Sequence, residues 1–225
     1  MLSSLEGVHA AAGVENSFYR KWGKRSLDSI ASLVGLLLAS PVLLVVAVLV
    51  KSTSPGPVLY WQERVGLRGQ LFRIVKFRTM RQGADQRGLV ITSTGDPRLT
   101  TVGRWLRRLK LDEILQLWNV LKGEMSLVGP RPEVPRYVQF YSSAQRRVLS
   151  VRPGITDLAS ISYLREEELL ASHADVDRYY REVILPDKLN KNLEYLDRMS
   201  FFCDLLLLVR TMRAIFTPVW TPKTQ

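Results

Sequence analysis

The sequence has few of the side chains that build disulfides and zinc sites. Among its 225 residues are one cysteine and two histidines. Cys203 cannot form an internal disulfide, and its apolar surroundings favour a packed thiol in a reducing compartment. Two histidines are too few for the common zinc sites and make a histidine-based catalytic triad improbable. Any chemistry is therefore expected to depend on carboxylates, lysines and arginines.

Acidic residues are scarce in the first half of the chain. Residues 1–111 contain 17 Lys and Arg against 6 Asp and Glu, a net charge of +11, whereas residues 112–225 contain 15 of each. This excess predicts an anionic partner, which could be nucleic acid, a phosphorylated metabolite or anionic lipid. The basic half ends at two adjacent acids, Asp112 and Glu113. Two carboxylates in such surroundings indicate a site for an anionic substrate, with a bound metal ion.

One long apolar run, residues 30–50, contains 21 residues and no charge. As a straight helix it would be about 31 Å long, enough to cross the core of a bilayer. Pro41 predicts a kink in this helix, and the Ser40 hydroxyl can bond a carbonyl that the proline frees. Basic residues flank both ends, which favours a segment that enters and leaves on the same face. From the residues alone, a spanning helix stays open as the alternative.

Turn residues and periodicity divide the rest of the chain and predict an α+β fold that is mostly helical. We expect a mobile tail over 1–17, a basic lead and membrane helix over 18–51, a compact catalytic domain over 52–216 and a second tail over 217–225. The domain is predicted to contain a β-hairpin over 58–80 with its turn at 65–70, a loop over 81–101, a helix in two pieces over 102–122, a loop over 123–135, and helices over 138–149, 165–183 and 193–216. The last of these is amphipathic and should lie on a core or a membrane surface.

The two acids occupy a stretch with helical periodicity. If residues 111–121 form one helix, Asp112, Gln116 and Asn119 lie on one face, which must meet water, a ligand or a neighbouring site. Glu113 lies about 100° away from Asp112, so the two acids can address different atoms. If the helix begins near Leu111, both acids occupy its first turn, where free N–H groups can bind phosphate.

Several basic residues are candidates for binding phosphate. Arg131 lies between two prolines that stiffen its backbone, and a rigid guanidinium suits bidentate binding of phosphate. The stretch KFRTM at 76–80 is a second compact basic motif, and Arg107 precedes the two acids by one turn of helix. Each of these is also compatible with solvated surface charge.

Taken together, these stretches resemble the bacterial sugar transferase family, the monotopic polyprenyl-phosphate phosphoglycosyl transferases, in its small catalytic-domain form. The resemblance runs from about Lys24 to Phe216. Its motifs are the apolar helix broken at Ser40-Pro41, KFRTM at 76–80, LDEILQLWNVLKGEMSLVGPRP at 111–132 and VRPGIT at 151–156. No single motif is decisive, but their order and spacing make the resemblance specific.

The resemblance implies an enzyme that transfers a sugar 1-phosphate from a nucleoside diphosphate sugar, expected to be a UDP-sugar, to undecaprenyl phosphate, with release of UMP. This is a first membrane step of glycan assembly. In this family the residue matching Asp112 is the nucleophile and a Mg²⁺ ligand, and it carries a covalent phosphosugar. The residue matching Glu113 supports attack by the polyprenyl phosphate. Lys76, Arg107 and Arg131 match positions that bind phosphate or organise the site.

The resemblance also implies a re-entrant membrane helix hairpin and amphipathic interfacial helices. These place the domain on the cytoplasmic face of the bacterial inner membrane, with membrane lipid as a partner and no role for nucleic acid. The sequence departs from many relatives at Asp157, which follows Gly-Ile-Thr, and at Asn192, where they carry Asp; both differences bear on sugar specificity. The glycan pathway and the oligomeric state stay open. The alternative is a membrane-anchored protein that binds anionic lipid or nucleic acid without catalysis.

Overall fold

The computed structural model describes residues 19–84, 96–173 and 175–216; the predicted tails and most of the predicted loop 81–101 lie outside the described residues. The described chain is mostly helical with two small sheets, which confirms the predicted α+β class. Its helices are α1 (Lys24–Thr53), α2 (Thr101–Arg108), α3 (Gln116–Lys122), α4 (Pro135–Val138), α5 (Leu158–Ser162), α6 (Glu166–Ala171), α7 (Val176–Tyr179), α8 (Leu185–Arg198) and α9 (Phe201–Phe216). Its strands are β1 (Leu59–Val65), β2 (Leu71–Phe77), β3 (Ser126–Val128) and β4 (Gly154–Thr156). Shorter turns are π-helical at Tyr19–Gly23 and Tyr180–Ile184 and 3₁₀ at Leu67–Gly69, Leu111–Glu113 and Gln145–Ser150.

Helix α1 continues in sequence across Pro41. A proline has no N–H for the carbonyl four residues earlier, which here belongs to Leu37. The Ser40 hydroxyl donates a hydrogen bond to that carbonyl at 2.7 Å. This confirms the predicted compensation for the missing bond, whereas the predicted hairpin break at Ser40-Pro41 stays a prediction.

Much of the apolar surface of α1 is exposed. It is the one helix among the described residues that is long and apolar enough to cross a membrane, and only 11% of its most apolar window is buried. Leu38 is 77% exposed, and Leu37 and Leu44 are exposed to a similar extent. A core helix of a soluble protein would be mostly buried. The exposed apolar surface of α1 is therefore expected to contact something other than the described residues.

Both ends of α1 nevertheless pack against the domain. Near the first end, Arg25 Nη2 donates to the Leu121 carbonyl of α3 at 2.8 Å, and Asp28 Oδ1 accepts from the Leu127 amide of β3 at 3.2 Å. Near the other end, apolar side chains of α1 join a buried cluster with the hairpin and α2: Val46, Val50, Phe77 and Leu106. Exposed apolar side chains nevertheless run along most of α1, from Leu27 to Leu49, beside these contacts.

The hairpin forms as predicted. Strands β1 and β2 pair antiparallel from Leu59–Phe77 to Val65–Leu71. Their turn uses left-handed backbone at Arg68 (φ 56°) and Gly69 (φ 77°), a conformation that glycine adopts without steric cost. The turn thus fixes the register and places the end of β2 beside the two acids.

The predicted helix in two pieces over 102–122 is confirmed as α2 and α3, joined by the 3₁₀ turn Leu111–Glu113. Lys110, with φ 56°, separates α2 from that turn. Asn119 ties α3 to the hairpin, because its Oδ1 accepts from the Val75 amide at 3.1 Å and its Nδ2 donates to the Arg73 carbonyl at 2.7 Å. The 3₁₀ turn is therefore held between two anchored helices and strand β2.

The predicted loop 123–135 is wrong over three residues, which form β3 and pair in parallel with β4. A side chain on Gly154 would collide with the backbone of Gly129, so glycine permits this close approach. The pairing brings the Pro-Arg-Pro segment that follows β3 next to the residues that follow β4.

The predicted single helix over 138–149 is also wrong. Helix α4 ends at Val138, and a new turn begins farther along, at Gln145. The Gln145 amide donates to Ser142 Oγ at 3.2 Å while the Ser142 amide donates to Gln145 Oε1 at 2.8 Å. This reciprocal pair is a capping box, which starts a turn and so prevents one continuous helix.

Caps likewise interrupt the two later predicted helices. The helix predicted over 165–183 is broken before α7, where Asp175 Oδ1 accepts from the Arg178 amide at 2.9 Å. The helix predicted over 193–216 is broken between α8 and α9, where Ser200 Oγ accepts from the Cys203 amide at 3.2 Å. Side-chain oxygens that satisfy free amides favour the start of a helix at these points. Helix α9 is amphipathic as predicted: Leu207 is buried and Phe202 is 75% exposed.

Candidate active site

The two acids occupy the 3₁₀ turn Leu111–Glu113. The single helix expected over 111–121 is therefore divided, because the α-helix begins only at Gln116. Asp112 is only 6% exposed, and its Oδ1 atom is buried without a hydrogen-bond partner among the described residues. Gln116 and Asn119, predicted to share its face, are also buried, so the polar stripe is not solvated. A buried carboxylate oxygen that lacks a partner costs free energy unless it meets a ligand. Asp112 is therefore available for chemistry.

Glu113, by contrast, is held by two cations. Its Oε1 accepts from Lys76 Nζ at 3.0 Å and also from Arg131 Nη2. The structure thus brings together three residues predicted from sequence, which come from β2, the 3₁₀ turn and the segment after β3. They form an ion cluster in which two cations share the carboxylate of Glu113.

The neighbouring acids have opposite pKa shifts. Burial raises the pKa of Asp112, and the charge of Glu113 raises it further; Lys76 and Arg107 act against both effects. Burial also opposes the ionisation of Glu113, but Arg131 and Lys76 outweigh it and hold the pKa of that carboxyl well below its ordinary value. Glu113 therefore stays ionised, while Asp112 is the acid whose charge is poorly stabilised by the protein alone.

The two cations respond differently to the same carboxylate. The charge of Glu113 raises the pKa of Arg131 above its ordinary value, despite burial. Burial lowers the pKa of Lys76, and the nearby Arg131 lowers it further, although Glu113 acts in the opposite direction. Because a guanidinium keeps its charge under all ordinary conditions, Arg131 is the permanent counter-charge of the cluster.

A residue of unassigned function, Asp157, positions Arg131. Asp157 is fully buried; its Oδ2 accepts from the Arg131 amide at 2.9 Å and its Oδ1 accepts from the Ser160 amide at 2.5 Å. One carboxylate therefore caps α5 and fixes the backbone between the two prolines. The Arg131 guanidinium also donates from Nη1 to the Ile155 carbonyl at 3.3 Å. The sequence does contain the N-cap signal, an Asp that precedes an apolar helical run, but gives no sign of the link to Arg131.

Arg107 lies on α2 and reaches a different acid. Its Nη2 donates to Glu167 Oε1 on α6 at 2.6 Å, and both side chains are partly exposed. Its charge also lowers the pKa of Asp112, which places it near that carboxylate. Glu167 was not predicted as a site residue, because its contact with Arg107 joins residues 60 positions apart.

A Mg²⁺ ion fits this site through few protein ligands. No group of three or more His, Cys, Asp or Glu side chains suited to a metal occurs in the ranges that the structure describes. Magnesium usually takes one or two carboxylates and completes its octahedron with water and substrate phosphates. Asp112 Oδ1, buried and without a hydrogen-bond partner among the described residues, has the chemistry that such a ligand needs.

Comparisons with known proteins identify the family of this chain. A family model described as "Bacterial sugar transferase" matches residues 19–218. A UDP-N-acetylgalactosamine-undecaprenyl-phosphate N-acetylgalactosaminephosphotransferase of Aeromonas hydrophila is 39% identical over 201 residues, which cover 86% of this chain and 44% of that protein. A UDP-glucose:undecaprenyl-phosphate glucose-1-phosphate transferase of Caulobacter vibrioides is 37% identical, and the match covers 86% of this chain and 70% of that protein. The exopolysaccharide production protein ExoY of Rhizobium meliloti is 36% identical, and the match covers 85% of this chain and 84% of that protein.

The extent of these matches differs between relatives. The chain spans less than half of the Aeromonas hydrophila protein but most of the Rhizobium meliloti protein. In each case at least 85% of this chain is aligned, and the family model covers almost all the described residues. The chain belongs to the bacterial sugar transferase family.

Proposed function

We propose that this protein transfers a sugar 1-phosphate from a nucleoside diphosphate sugar to polyprenyl phosphate, with release of a nucleoside monophosphate. The observation that carries the proposal is the buried Asp112 carboxylate, whose Oδ1 has no hydrogen-bond partner among the described residues, beside the Lys76–Glu113–Arg131 cluster. The relatives named for transfer to undecaprenyl phosphate support undecaprenyl phosphate as the acceptor and a UDP-sugar as the donor, so that UMP is released.

The reaction is proposed to proceed in two displacements at the same phosphorus. In the first, an Asp112 oxygen forms a bond to the β-phosphorus of the donor, and the bond from that phosphorus to the bridging oxygen breaks. UMP leaves with the bridging oxygen and the electron pair. In the second, a phosphate oxygen of the acceptor attacks the phosphosugar on Asp112, the acyl-phosphate bond breaks and the carboxylate is regenerated. The product is a polyprenyl diphosphate sugar.

The cations act on the charge that moves during these steps. Lys76, Arg107 and Arg131 are proposed to bind the donor phosphates, and Lys76 and Arg131 are already directed towards the acids by Glu113. Asp112 would hold Mg²⁺, which when bound would neutralise phosphoryl oxygens. Fixed cations that stabilise developing charge are the main source of rate in phosphoryl transfer.

Glu113 is proposed to assist the second displacement without taking a proton. Its pKa lies well below the ordinary value because two cations hold it, so it is a weak base. A phosphate monoester has a second pKa of about 6 and is mostly dianionic at neutral pH, so it needs no base to attack. Glu113 instead keeps Lys76 and Arg131 in place for both substrates.

We propose that α1 is re-entrant and that the domain lies on the cytoplasmic face of the inner membrane. Both ends of α1 contact the same domain through α3, β3 and the hairpin, and exposed apolar side chains run along the helix between those contacts. A straight spanning helix of this length would separate its ends by about 30 Å of hydrocarbon. The exposed apolar face of α9 supports an interfacial position for that helix.

The proposed activity is tested with purified protein, Mg²⁺, undecaprenyl phosphate and a panel of UDP-sugars. We expect UMP release with at least one sugar, and we expect EDTA to abolish it because the donor diphosphate then lacks its counter-ion. Without undecaprenyl phosphate, release should stop at about one UMP per enzyme molecule, since Asp112 is not regenerated. Failure to release UMP with every sugar would overturn the proposal and favour a binding protein.

The proposed topology is tested by labelling single cysteines in a Cys203→Ser background. The two variants are Ser3→Cys and Thr224→Cys. In intact cells a membrane-impermeant maleimide should label neither position, and it should label both once the inner membrane has been permeabilised. Labelling of the two positions from opposite sides would contradict the re-entrant helix and indicate a spanning one. Background labelling is measured in the variant without cysteine.

A further inference from the structure

The KFRTM motif contains a second buried cation, Arg78, to which no function has been assigned. Arg78 is 6% exposed and follows strand β2 directly. Its Nη2 donates to the Ser54 carbonyl at 2.8 Å and to Ser54 Oγ at 2.7 Å. Its Nε and Nη1 atoms are buried and have no hydrogen-bond partner among the described residues. Among the described residues, no carboxylate forms an ion pair with Arg78.

The contact with Ser54 accounts for only part of this guanidinium. Ser54 is the C-cap of α1, and a cation at the C-terminus of a helix is favourable. Two nitrogens have no acceptor among the described residues, however, and a buried charge without a counter-charge is costly. The planar donor fork of arginine matches the oxygens of a phosphate. Arg78 therefore has the properties of an anion site that lacks its anion.

Arg78 lies between the candidate active site and the end of the membrane helix. The Arg78 amide donates to the Val58 carbonyl at 2.9 Å, so the hairpin ladder continues one residue beyond β2. Alternate residues of a strand point to the same side and lie roughly 7 Å apart, so Arg78 follows Lys76 along one edge of the site. Lys76 bonds Glu113, whereas Arg78 bonds the residue at which α1 ends.

The Gln82 side chain lies close to the Arg78 guanidinium at the turn after α1. A Cβ on Gly56 would collide with Arg78 Nη1 and would lie 2.9 Å from Gln82 Oε1, so both side chains meet over this glycine. Gln82 is exposed, and rotation of its side chain would open Nη1 without a change in the backbone. Gly56, with φ 113°, leaves room for the guanidinium in the turn after α1.

We propose that Arg78 binds the phosphate monoester of the lipid acceptor where it enters from the membrane surface, and presents it to the phosphosugar on Asp112. The inference rests on the proposed function and assigns the acceptor, rather than the donor, to this cation. The position at the end of α1 favours a phosphate that is attached to a lipid chain. The two free nitrogens supply the hydrogen bonds that the monoester needs.

The test compares Arg78→Gln with Arg73→Gln. Arg73 lies on the same strand, but its side chain is exposed, so the control removes one charge from β2 without affecting the site. For Arg78→Gln we expect KM for undecaprenyl phosphate to rise at least tenfold more than KM for the UDP-sugar. For Arg73→Gln we expect both KM values to stay within twofold of the wild type. Arg78→Lys keeps the charge, so if Arg78→Gln does not fold, Arg78→Lys should show a smaller rise in the same KM.

Other outcomes identify other roles. Equal changes in both KM values, or a lower kcat alone, would show that Arg78 only caps α1. Weaker sedimentation with phosphatidylglycerol vesicles and an unchanged acceptor KM would assign Arg78 to phospholipid headgroups; either result overturns the inference.

Direct binding of undecaprenyl phosphate, followed by native mass spectrometry, needs no turnover. It should weaken at least tenfold in Arg78→Gln, even if the wild type were to release no UMP and the proposed function itself failed.

Discussion

Asp112→Asn is expected to abolish UMP release and to leave the protein folded. An amide is not a nucleophile at phosphorus under these conditions and is a poor ligand for Mg²⁺, so turnover should fall by at least about 1,000-fold. Stability should not fall with it. Burial and the charge of Glu113 raise the pKa of Asp112, which means that the folded protein disfavours its ionised form. Removing that charge should maintain or raise the melting temperature in detergent.

The covalent step gives this prediction a second readout. After incubation with a UDP-sugar alone and an acid quench, wild-type protein should carry the mass of one phosphosugar on the peptide that contains Asp112. The variant should carry none. Asp197→Asn makes the same chemical change at an exposed ion pair with Arg147, and it should keep both activity and adduct. If Asp112→Asn kept full turnover, or if the adduct lay on another residue, the nucleophile would be wrongly assigned.

Glu113→Gln should give the largest loss of stability among the site variants. The substitution preserves shape but leaves Lys76 and Arg131 without their shared carboxylate. These side chains are partly exposed, so we expect a loss between the roughly 1 kcal/mol of an exposed ion pair and the about 3 kcal/mol of a buried one. Activity should also fall, because the two cations repel each other once the acid is gone. The measurement is the free energy of unfolding at pH 7 in detergent, together with the rate of UMP release.

The pH dependence of this loss follows from the pKa of Glu113. Its folded-state value lies below its ordinary value, so the carboxylate stabilises the fold above the unfolded-state pKa, which is near 4.3. That contribution is lost as the pH falls through the lower, folded-state pKa. The stability difference between wild type and Glu113→Gln should therefore be constant near neutral pH and shrink under acidic conditions.

A surface pair provides the control for this second prediction. Glu182→Gln breaks an exposed pair with Arg178 on one helical surface, where solvent screens the charges. Its unfolding midpoint should stay at the wild-type value. A Glu113→Gln protein as stable as the control at every pH would mean that the ion cluster does not support the fold.

Local signals in the sequence were sufficient for several elements. The hairpin could be predicted because its turn residues lie next to the strands that they join. The pair Asp112 and Glu113 could be placed in a helical turn because the apolar periodicity begins beside it. Residues that interact with others only a few positions away leave a recognisable pattern in the sequence.

Contacts between distant segments leave no such pattern. Asp157 fixes the backbone of Arg131 across 26 residues, and Glu167 meets Arg107 across 60. Lys76 and Arg131 were predicted as phosphate ligands, but their shared bond to Glu113 is set by the packing of three separate segments. The breaks at Ser142 and Ser200 were missed because a serine cap competes only weakly with helical periodicity in a sequence.

The packing of both ends of α1 into the domain has a consequence for biosynthesis. The first end bonds α3 and β3, and the second joins the core formed by Phe77 and Leu106. The helix leaves the ribosome before all of these partners, so its ends must wait at the membrane surface until the rest of the domain is made. The membrane position proposed for α1 therefore means that this cluster should close at the bilayer surface. The other buried clusters contain no residue of α1 and can form without it.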